Sequence, residues 1–288
     1  MLVLTPALLL LSAARPVAYA QPQTGGADAF EGMVDVGGYK LYVRCAGERR
    51  GPTVVLEAGA SSPSSDWDKV APEVSRFARV CRYDRANNGK SEAAPKPRTG
   101  ARIVEDLRTL LRLRGEPAPY VLVGHSLGGI LSVIYAATYP REVAGLVLVD
   151  SSHEEQIKRF EALMTPEQRE QSRARLASLP EGVNSVTLRE QVGALRWRAD
   201  IPLVVLAHGT VNKDMIPPGW SQEQLDARER VWREMQQDYS RRSPRGELIV
   251  AERSGHYIQN DQPELVIDAV RRVVESVRKE RPGREKRR

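Results

Sequence analysis

A serine stands between two glycines at a point where an apolar run gives way to a helix-like segment. Ser126 lies in the sequence GHSLG at residues 124–128, which fits the pattern G-x-S-x-G. The apolar run Tyr120–Val123 precedes it, and small and apolar residues follow it from 129 to 138. A strand, a sharp turn and a helix in this order expose a serine hydroxyl as a nucleophile. A serine that only caps the helix is the alternative.

Ser126 requires a base, because a serine hydroxyl is a weak nucleophile until its proton is removed. The chain has four histidines. His125 is next to the serine in the turn, His153 begins a segment without strand candidates, and His208 follows an apolar run. His256 lies in a loop between the last strand candidate and the last helix, at the edge where the loops of parallel strands emerge. We therefore predict that His256 is the general base.

The carboxylate that orients the histidine is expected between the serine and the histidine in chain order. Asp150 directly follows the apolar run Gly145–Val149, whereas Asp214 lies several residues beyond the run Leu203–Leu206. A side chain at the end of a strand is held more firmly than one inside a loop. We predict Asp150 as the acid and keep Asp214 as the alternative. If Asp150 has no catalytic role, it is a turn residue or a helix-capping residue.

The elements that must position these residues are short apolar runs that alternate with helical segments. Several runs show no polar alternation, which is typical of parallel strands covered on both faces. Apolar stripes at helical spacing, at residues 103–111 and again after Pro263, predict helices between the strands. The pattern predicts an α/β fold with a mostly parallel central sheet and helices on both faces. The strand candidates are Tyr39–Arg44, Thr53–Glu57, Val80–Tyr83, Tyr120–Val123, Gly145–Val149, Leu203–Leu206 and Glu247–Ala251.

The alternation stops between residues 153 and 200, where no strand candidate occurs. Two pairs in this segment, Thr165 with Gln168 and Thr187 with Glu190, fit the capping box that begins a helix. We predict an all-helical cap inserted over the strand ends, with ordinary helices packed on the body as the alternative. The apolar residues available for either arrangement are Phe160, Leu163, Met164, Leu176, Leu179 and Trp197.

The first twenty residues are typical of a signal peptide. The segment Leu2–Leu11 is almost wholly apolar, and Ala18 and Ala20 form a small-x-small cleavage pattern. The segment departs from the usual pattern because no Lys or Arg precedes the apolar run. Arg15 interrupts the run well short of the roughly 20 residues that a membrane span needs. We predict an exported protein with no stable membrane span after cleavage.

The positive charge of the chain is concentrated at one end. Seven Lys/Arg and two Glu at residues 278–288 account for five of the six formal positive charges. We predict a disordered basic tail at 278–288 and one domain at 29–277. Because the remainder is nearly neutral, nucleic-acid binding is not expected. No cluster of Cys and His suggests a metal or an organic cofactor, and we predict none.

Over residues 29–277 the chain resembles the α/β-hydrolase superfamily, in particular bacterial exported hydrolases with a Leu-Glu-Ala-Gly turn after a strand. The resemblance lies in VLEAG at 55–59, YDRA at 83–86, GHSLGG at 124–129, VDSSH at 149–153 and SGH at 254–256. In most members the acid follows the strand that corresponds to Leu203–Leu206, often as Gly-x-x-Asp. Here GTVN at 209–212 has asparagine in that place. Since some members carry the acid one strand earlier, the resemblance favours Asp150.

The same resemblance implies an oxyanion hole. One donor is expected to be the amide of Leu127 at the start of its helix. The other is expected from the turn after Thr53–Leu56, where family members commonly have His-Gly, and Ala60 is the candidate here. Glu57, in the same turn, is expected to pair with Arg85 or to be exposed.

The resemblance also implies that the strands carrying the two cysteines are antiparallel neighbours. Cys45 follows the candidate Tyr39–Arg44, and Cys81 lies in Val80–Tyr83. An exported protein can form disulfides. We predict a Cys45–Cys81 bond, with two buried thiols as the alternative.

These residues together predict a secreted serine hydrolase that acts on a small-molecule carboxylic ester through Ser126, His256 and Asp150. A peptidase or amidase would use the same machinery. A ligand-binding module with little turnover is an alternative from a different class. Epoxide hydrolysis and dehalogenation are not expected, because in this superfamily they use an aspartate where Ser126 stands.

Overall fold

The computed structural model describes residues 29–280 apart from residues 178, 196 and 212–218. The predicted signal peptide at 1–20, the last eight residues of the predicted basic tail and the alternative acid Asp214 all lie outside the described residues.

A single sheet of eight strands forms the centre of the described chain, in the order β1-β2-β4-β3-β5-β6-β7-β8. Strand β2 pairs antiparallel with β1 and β4, and every other neighbouring pair is parallel. The predicted mostly parallel sheet is therefore confirmed. The strands are β1 (Phe30–Asp35), β2 (Lys40–Ala46), β3 (Val54–Glu57), β4 (Val80–Tyr83), β5 (Tyr120–His125), β6 (Val143–Val149), β7 (Leu203–His208) and β8 (Gly246–Ala251).

Helices cover both faces of the sheet, because neighbouring residues of each inner strand point to opposite sides. Val55 and Val205 pack with residues of α2 and α3. Val54 and Val204 pack with residues of α1 and α9. The apolar stripes predicted at 103–111 and after Pro263 are buried as expected. The helices outside the insertion are α1 (Ala71–Ser75), α2 (Gly100–Leu113), α3 (Leu127–Thr138), α7 (Gln222–Ser240), α8 (Ile258–Asp261) and α9 (Pro263–Lys279).

Three helices lie between residues 153 and 200: α4 (Gln156–Glu161), α5 (Pro166–Leu176) and α6 (Ser185–Leu195). The capping box of Thr165 is present at the start of α5. The helix start predicted at Thr187 is wrong, because α6 begins at Ser185. The side chain of Asn184 accepts hydrogen bonds from the amides of Val186 and Thr187 and thereby supplies the cap.

The apolar residues of the insertion pack against the body. Phe160 of α4 forms a small core with Trp232 and Met235 of α7. Leu188 and Val192 of α6 join the core that contains α3. Among the described residues, no helix is long and apolar enough to cross a membrane.

The two cysteines occupy directly opposite positions of the antiparallel pair β2–β4. Their Cα atoms are 4.1 Å apart, and a disulfide joins them. Both side chains are buried. The bond ties an antiparallel strand near one edge of the sheet to the first of the parallel strands.

Replacing both Cys45 and Cys81 by Ala is expected to lower the free energy of unfolding by about 3–4 kcal/mol, since the bond restrains a loop of 36 residues in the unfolded chain. Urea denaturation of the oxidised protein, the reduced protein and the double variant measures the loss. Two free thiols titrated in the protein before any reduction would contradict the prediction.

Candidate active site

Ser126 occupies the sharp turn between β5 and α3, with φ 51° and ψ −115°. This left-handed backbone conformation costs a non-glycine residue about 1–3 kcal/mol. The flanking glycines are required by space: a Cβ on Gly124 would lie 2.4 Å from the carbonyl oxygen of Gly128, and one on Gly128 would lie 2.2 Å from that of Glu57. The Ser126 side chain makes no capping hydrogen bond. The strained turn therefore exposes the Ser126 hydroxyl, and the side chain does not cap the helix.

Asp150 follows β6 directly, also with a positive φ of 43°, and is completely buried. Its Oδ2 atom lies 2.6 Å from Nδ1 of His256. Nδ1 of His208 lies 2.8 Å from Oδ2 and 3.0 Å from Oδ1. Oδ1 also accepts from the backbone N–H of His208 at 3.1 Å and from Nε1–H of Trp232 at 2.8 Å. Three separate segments of the chain thus converge on one carboxylate.

These contacts keep Asp150 ionised. Burial alone would raise the pKa of its carboxyl, but the hydrogen bonds from His208 and His256 hold that pKa well below its ordinary value. The pKa of His208 shifts in the opposite direction. Burial would lower the pKa of its imidazole, but hydrogen bonds to Asp150 and Glu229 raise that pKa to about 9.

A small pocket of about 70 Å³ brings the predicted residues together. Ser126, Asp150 and His256 all line it. The remaining described lining residues are Ser152, Gln156, His208, Arg228 and Trp232. The side chain of His256 is 11% exposed, so that solvent or a substrate can reach its outer edge.

His125 and His153 do not line this pocket. Nε2 of His125 donates to the backbone carbonyl of His256 at 2.9 Å, which fixes the loop of the predicted base. Burial, followed by the proximity of His256, lowers the pKa of His125 to about 3, so the ring is neutral. His153 instead contacts Asp238 of α7 at 3.1 Å.

The turn that follows β3 lies against the serine. A Cβ on Gly59 would be 3.6 Å from Cβ of Ser126. The Gly59 carbonyl accepts a hydrogen bond of 2.5 Å from Arg85. Because C=O and N–H point in opposite directions across a trans peptide, the N–H of Ala60 points away from Arg85. The amide of Leu127, the first residue of α3, belongs to the helix start and has no partner within the helix.

Arg85 connects this turn to the insertion. It pairs with Glu57 at 2.6 Å, as expected, and also donates to the carbonyl of Ala58 at 2.7 Å. Its other face forms two hydrogen bonds of 2.7 and 2.8 Å with Glu181. Glu181 in turn accepts from the amide of Ser61 at 2.5 Å. All three charged side chains are buried, so the pairing of Arg85 with two carboxylates holds the turn rigidly.

Helix α7, with the site residues Glu229 and Trp232, is absent from the elements predicted from the sequence. A signal was present, because Ser221 and Gln224 form a capping box at its start. Glu229 and Trp232 are three residues apart and therefore lie on one face of the helix. In the sequence His208 only follows an apolar run, and its contacts with Asp150 and Glu229 are not predicted.

A mostly parallel sheet that presents a strained serine on its central strand–helix turn, with histidine and carboxylate from later loops, defines a hydrolase of the α/β type. The sequence profile of the Alpha/beta hydrolase family matches residues 54–269. The chain belongs to this family.

Individual relatives are distant. "Uncharacterized protein YqjL" of Bacillus subtilis is 27% identical over 219 residues, covering 75% of this chain and 81% of that protein. "Probable transporter efuK" of Hormonema carpetanum is 32% identical over 131 residues, which cover 43% of this chain but only 19% of that protein. The solved structure of an alpha/beta hydrolase fold protein from Burkholderia ambifaria superposes with a TM-score of 0.58 at 20% identity, covering 83% of this chain and 98% of that one.

Arg85→Lys is expected to lower the kcat of hydrolysis at least about tenfold with a smaller change in KM, because an ammonium group cannot hold both carbonyls and both carboxylates. Steady-state kinetics with a p-nitrophenyl ester measures the effect. Arg108→Lys is the matched control, since Arg108 forms a similar forked pair with Glu142 but does not contact the turn. Equal kinetics in the two variants would contradict a role for Arg85 in the turn.

Proposed function

We propose that the protein is a secreted serine hydrolase of carboxylic esters. The observation that carries the proposal is the 2.6 Å contact between His256 Nδ1 and buried Asp150, in a pocket shared with strained Ser126. A carboxylate oxygen only accepts, so Nδ1 of His256 carries the hydrogen. Nε2 is then the basic nitrogen, as a general base requires.

In the proposed reaction, Oγ of Ser126 attacks the ester carbonyl carbon while His256 accepts the hydroxyl proton. The carbonyl oxygen becomes an oxyanion, which the amides of Leu127 and Ala60 stabilise. Collapse of this intermediate breaks the bond to the alcohol, which leaves with the proton from His256. Water, deprotonated by His256, then attacks the acyl-serine and releases the acid. Asp150 fixes the imidazole tautomer in both halves of the reaction.

An ester substrate is favoured over a peptide with a free amine. Binding an ammonium group calls for uncommitted acidic side chains near the nucleophile. Among the described pocket residues, Asp150 is saturated with donors, and Arg228 contributes a positive charge. Glu229 is already engaged by His208 and Arg228. Comparing p-nitrophenyl esters with aminoacyl anilides distinguishes the two activities.

The disulfide supports the proposal of secretion. A Cys45–Cys81 bond persists in oxidising compartments and is rare in a reducing cytosol. Export by way of a signal peptide at residues 1–20 is the corresponding proposal for the beginning of the chain. Expression with and without these residues, followed by fractionation, tests it.

Ser126→Ala is expected to abolish covalent labelling by a fluorophosphonate probe, because the labelled oxygen is removed. The same probe separates an enzyme from a ligand-binding module: an unlabelled wild-type protein without ester turnover would overturn the proposed function.

Asp150→Asn is expected to lower kcat on a p-nitrophenyl ester by roughly 10⁴-fold, since an amide favours the wrong imidazole tautomer. Asp214→Asn is the matched control and is expected to stay within about threefold of the wild type. Initial rates on both variants, with circular dichroism to verify folding, measure the difference. Loss of activity in Asp214→Asn alone would show that the acid is assigned to the wrong strand.

Short acyl chains are expected to be preferred. The pocket is small, and Ser152, Gln156 and Arg228 give it polar walls, whereas Phe160 and Met164 pack towards Trp232 in the small core between the insertion and α7. We expect kcat/KM for p-nitrophenyl acetate or butyrate to exceed that for the palmitate at least about tenfold. A series of esters in one detergent concentration measures this preference. Rates that rise with chain length would contradict it.

A further inference from the structure

His208, the last residue of β7, bridges two buried carboxylates. Its Nδ1 atom lies 2.8 Å from Oδ2 of Asp150, and its Nε2 atom lies 2.7 Å from Oε2 of Glu229. Ionised carboxylates have acceptors only, so both ring nitrogens must carry hydrogens to satisfy these contacts. The geometry therefore describes an imidazolium cation between two anions.

Carboxylates face His208 from two elements of the fold. Asp150 approaches from the end of β6, and Glu229 approaches from α7. Arg228 pairs with the other oxygen of Glu229 at 2.6 Å, and His256 contacts Asp150 from the loop after β8. The two carboxylates thus alternate with three basic side chains. Burial opposes the charge, but the two carboxylates raise the pKa of His208 to about 9, in agreement with the geometry.

The His208 cation restricts the orientation of the Asp150 carboxylate. The backbone N–H and the ring N–H of His208, together with Nε1–H of Trp232, direct three hydrogen bonds at the carboxylate. The indole of Trp232 also stacks on the His208 ring, with centroids 5.8 Å apart and planes 21° apart. These contacts leave the carboxylate one orientation, in which Oδ2 points to Nδ1 of His256.

We propose that His208 is a positioning residue for the reaction: as a buried imidazolium held by Glu229, it fixes the Asp150 carboxylate and balances its charge. The inference rests on the proposed function, because it deepens the description of that same site. A second consequence follows from the pKa of His208: above about pH 9 the ring loses its charge, and kcat is expected to fall.

The kinetic test uses His208→Gln, which retains an N–H donor without the charge. We expect kcat to fall about tenfold or more, KM to change less than about threefold, and the fall in kcat above about pH 9 that the wild type shows to be absent. His153→Gln is the matched control, since His153 is buried and bonded to a carboxylate but does not line the pocket. Its fall in kcat above about pH 9 is expected to coincide with that of the wild type.

A purely structural role would give a different result. In that case His208→Gln and His208→Phe would lower the melting temperature but leave the pH profile in place, and this outcome overturns the proposal. Unchanged kcat and unchanged pH dependence in His208→Gln overturn it as well. His208→Phe is not expected to restore kcat, because the phenyl ring restores the stacking on Trp232 without the charge.

A measurement that needs no activity separates this inference from the proposed function. Imidazole nitrogen resonances of Ser126→Ala protein, assigned with His208→Gln, report the protonation of His208 directly. We expect both nitrogens to carry hydrogens up to about pH 9, and we expect the titration to move to lower pH in Glu229→Gln, which loses one anion. A His208 ring that is neutral at pH 7 would overturn the inference, even if ester hydrolysis by Ser126 were established.

Discussion

The arrangement of the site depends on one buried negative charge at the end of β6. Removing a carboxylate from water costs several kcal/mol unless donors compensate for the lost hydration. Asp150 obtains its donors from β7, from α7 and from the loop after β8. None of these segments can shift far without leaving the charge unpaired. The electrostatic requirement of Asp150 is therefore also what holds His256 beside the pocket.

A second buried ionic network lies on the other side of the serine, with the opposite sign at its centre. Arg85 is surrounded by Glu57, Glu181 and the carbonyls of the turn after β3. Here a cation gathers acceptors, whereas at Asp150 an anion gathers donors. The two networks use different parts of the chain, since Glu181 belongs to the insertion and the donors to Asp150 do not. Ser126 thus shares a pocket with Asp150 and lies next to the turn that Arg85 holds. Such fixed surroundings suit a reaction that depends on preorganised donors.

Two of the four non-glycine residues with a positive φ in the described part of the chain lie at this site. Ser126 and Asp150 both have positive φ, and both directly follow parallel strands at the carboxyl edge of the sheet. The Ser126 N–H donates to the carbonyl of Val149, and the Asp150 N–H donates to that of Leu206. Sheet-like pairing thus continues beyond the strand ends and supports both conformations. Such strain persists only where the surrounding packing determines it.

Features that depend on neighbours along the chain are predictable from the sequence. The inner strands are continuous apolar runs, and α9 carries a stripe of valines at helical spacing, so both were predicted from local pattern. The strand–turn–helix setting of Ser126 is equally local. Strand β1 was missed because it is a half-buried edge strand, and the start of α6 was misplaced because Asn184 supplies the cap.

Only the tertiary structure decided which charges meet. Glu181 is 96 residues from Arg85, and Trp232 is 82 residues from Asp150, so no local pattern relates them. Its place at a strand end and the resemblance favour Asp150 as the acid, but its donors cannot be foreseen from the sequence. The physical reason is that a buried charge is satisfied by whatever the fold brings within about 3 Å, and that distance is set by packing and not by spacing along the chain.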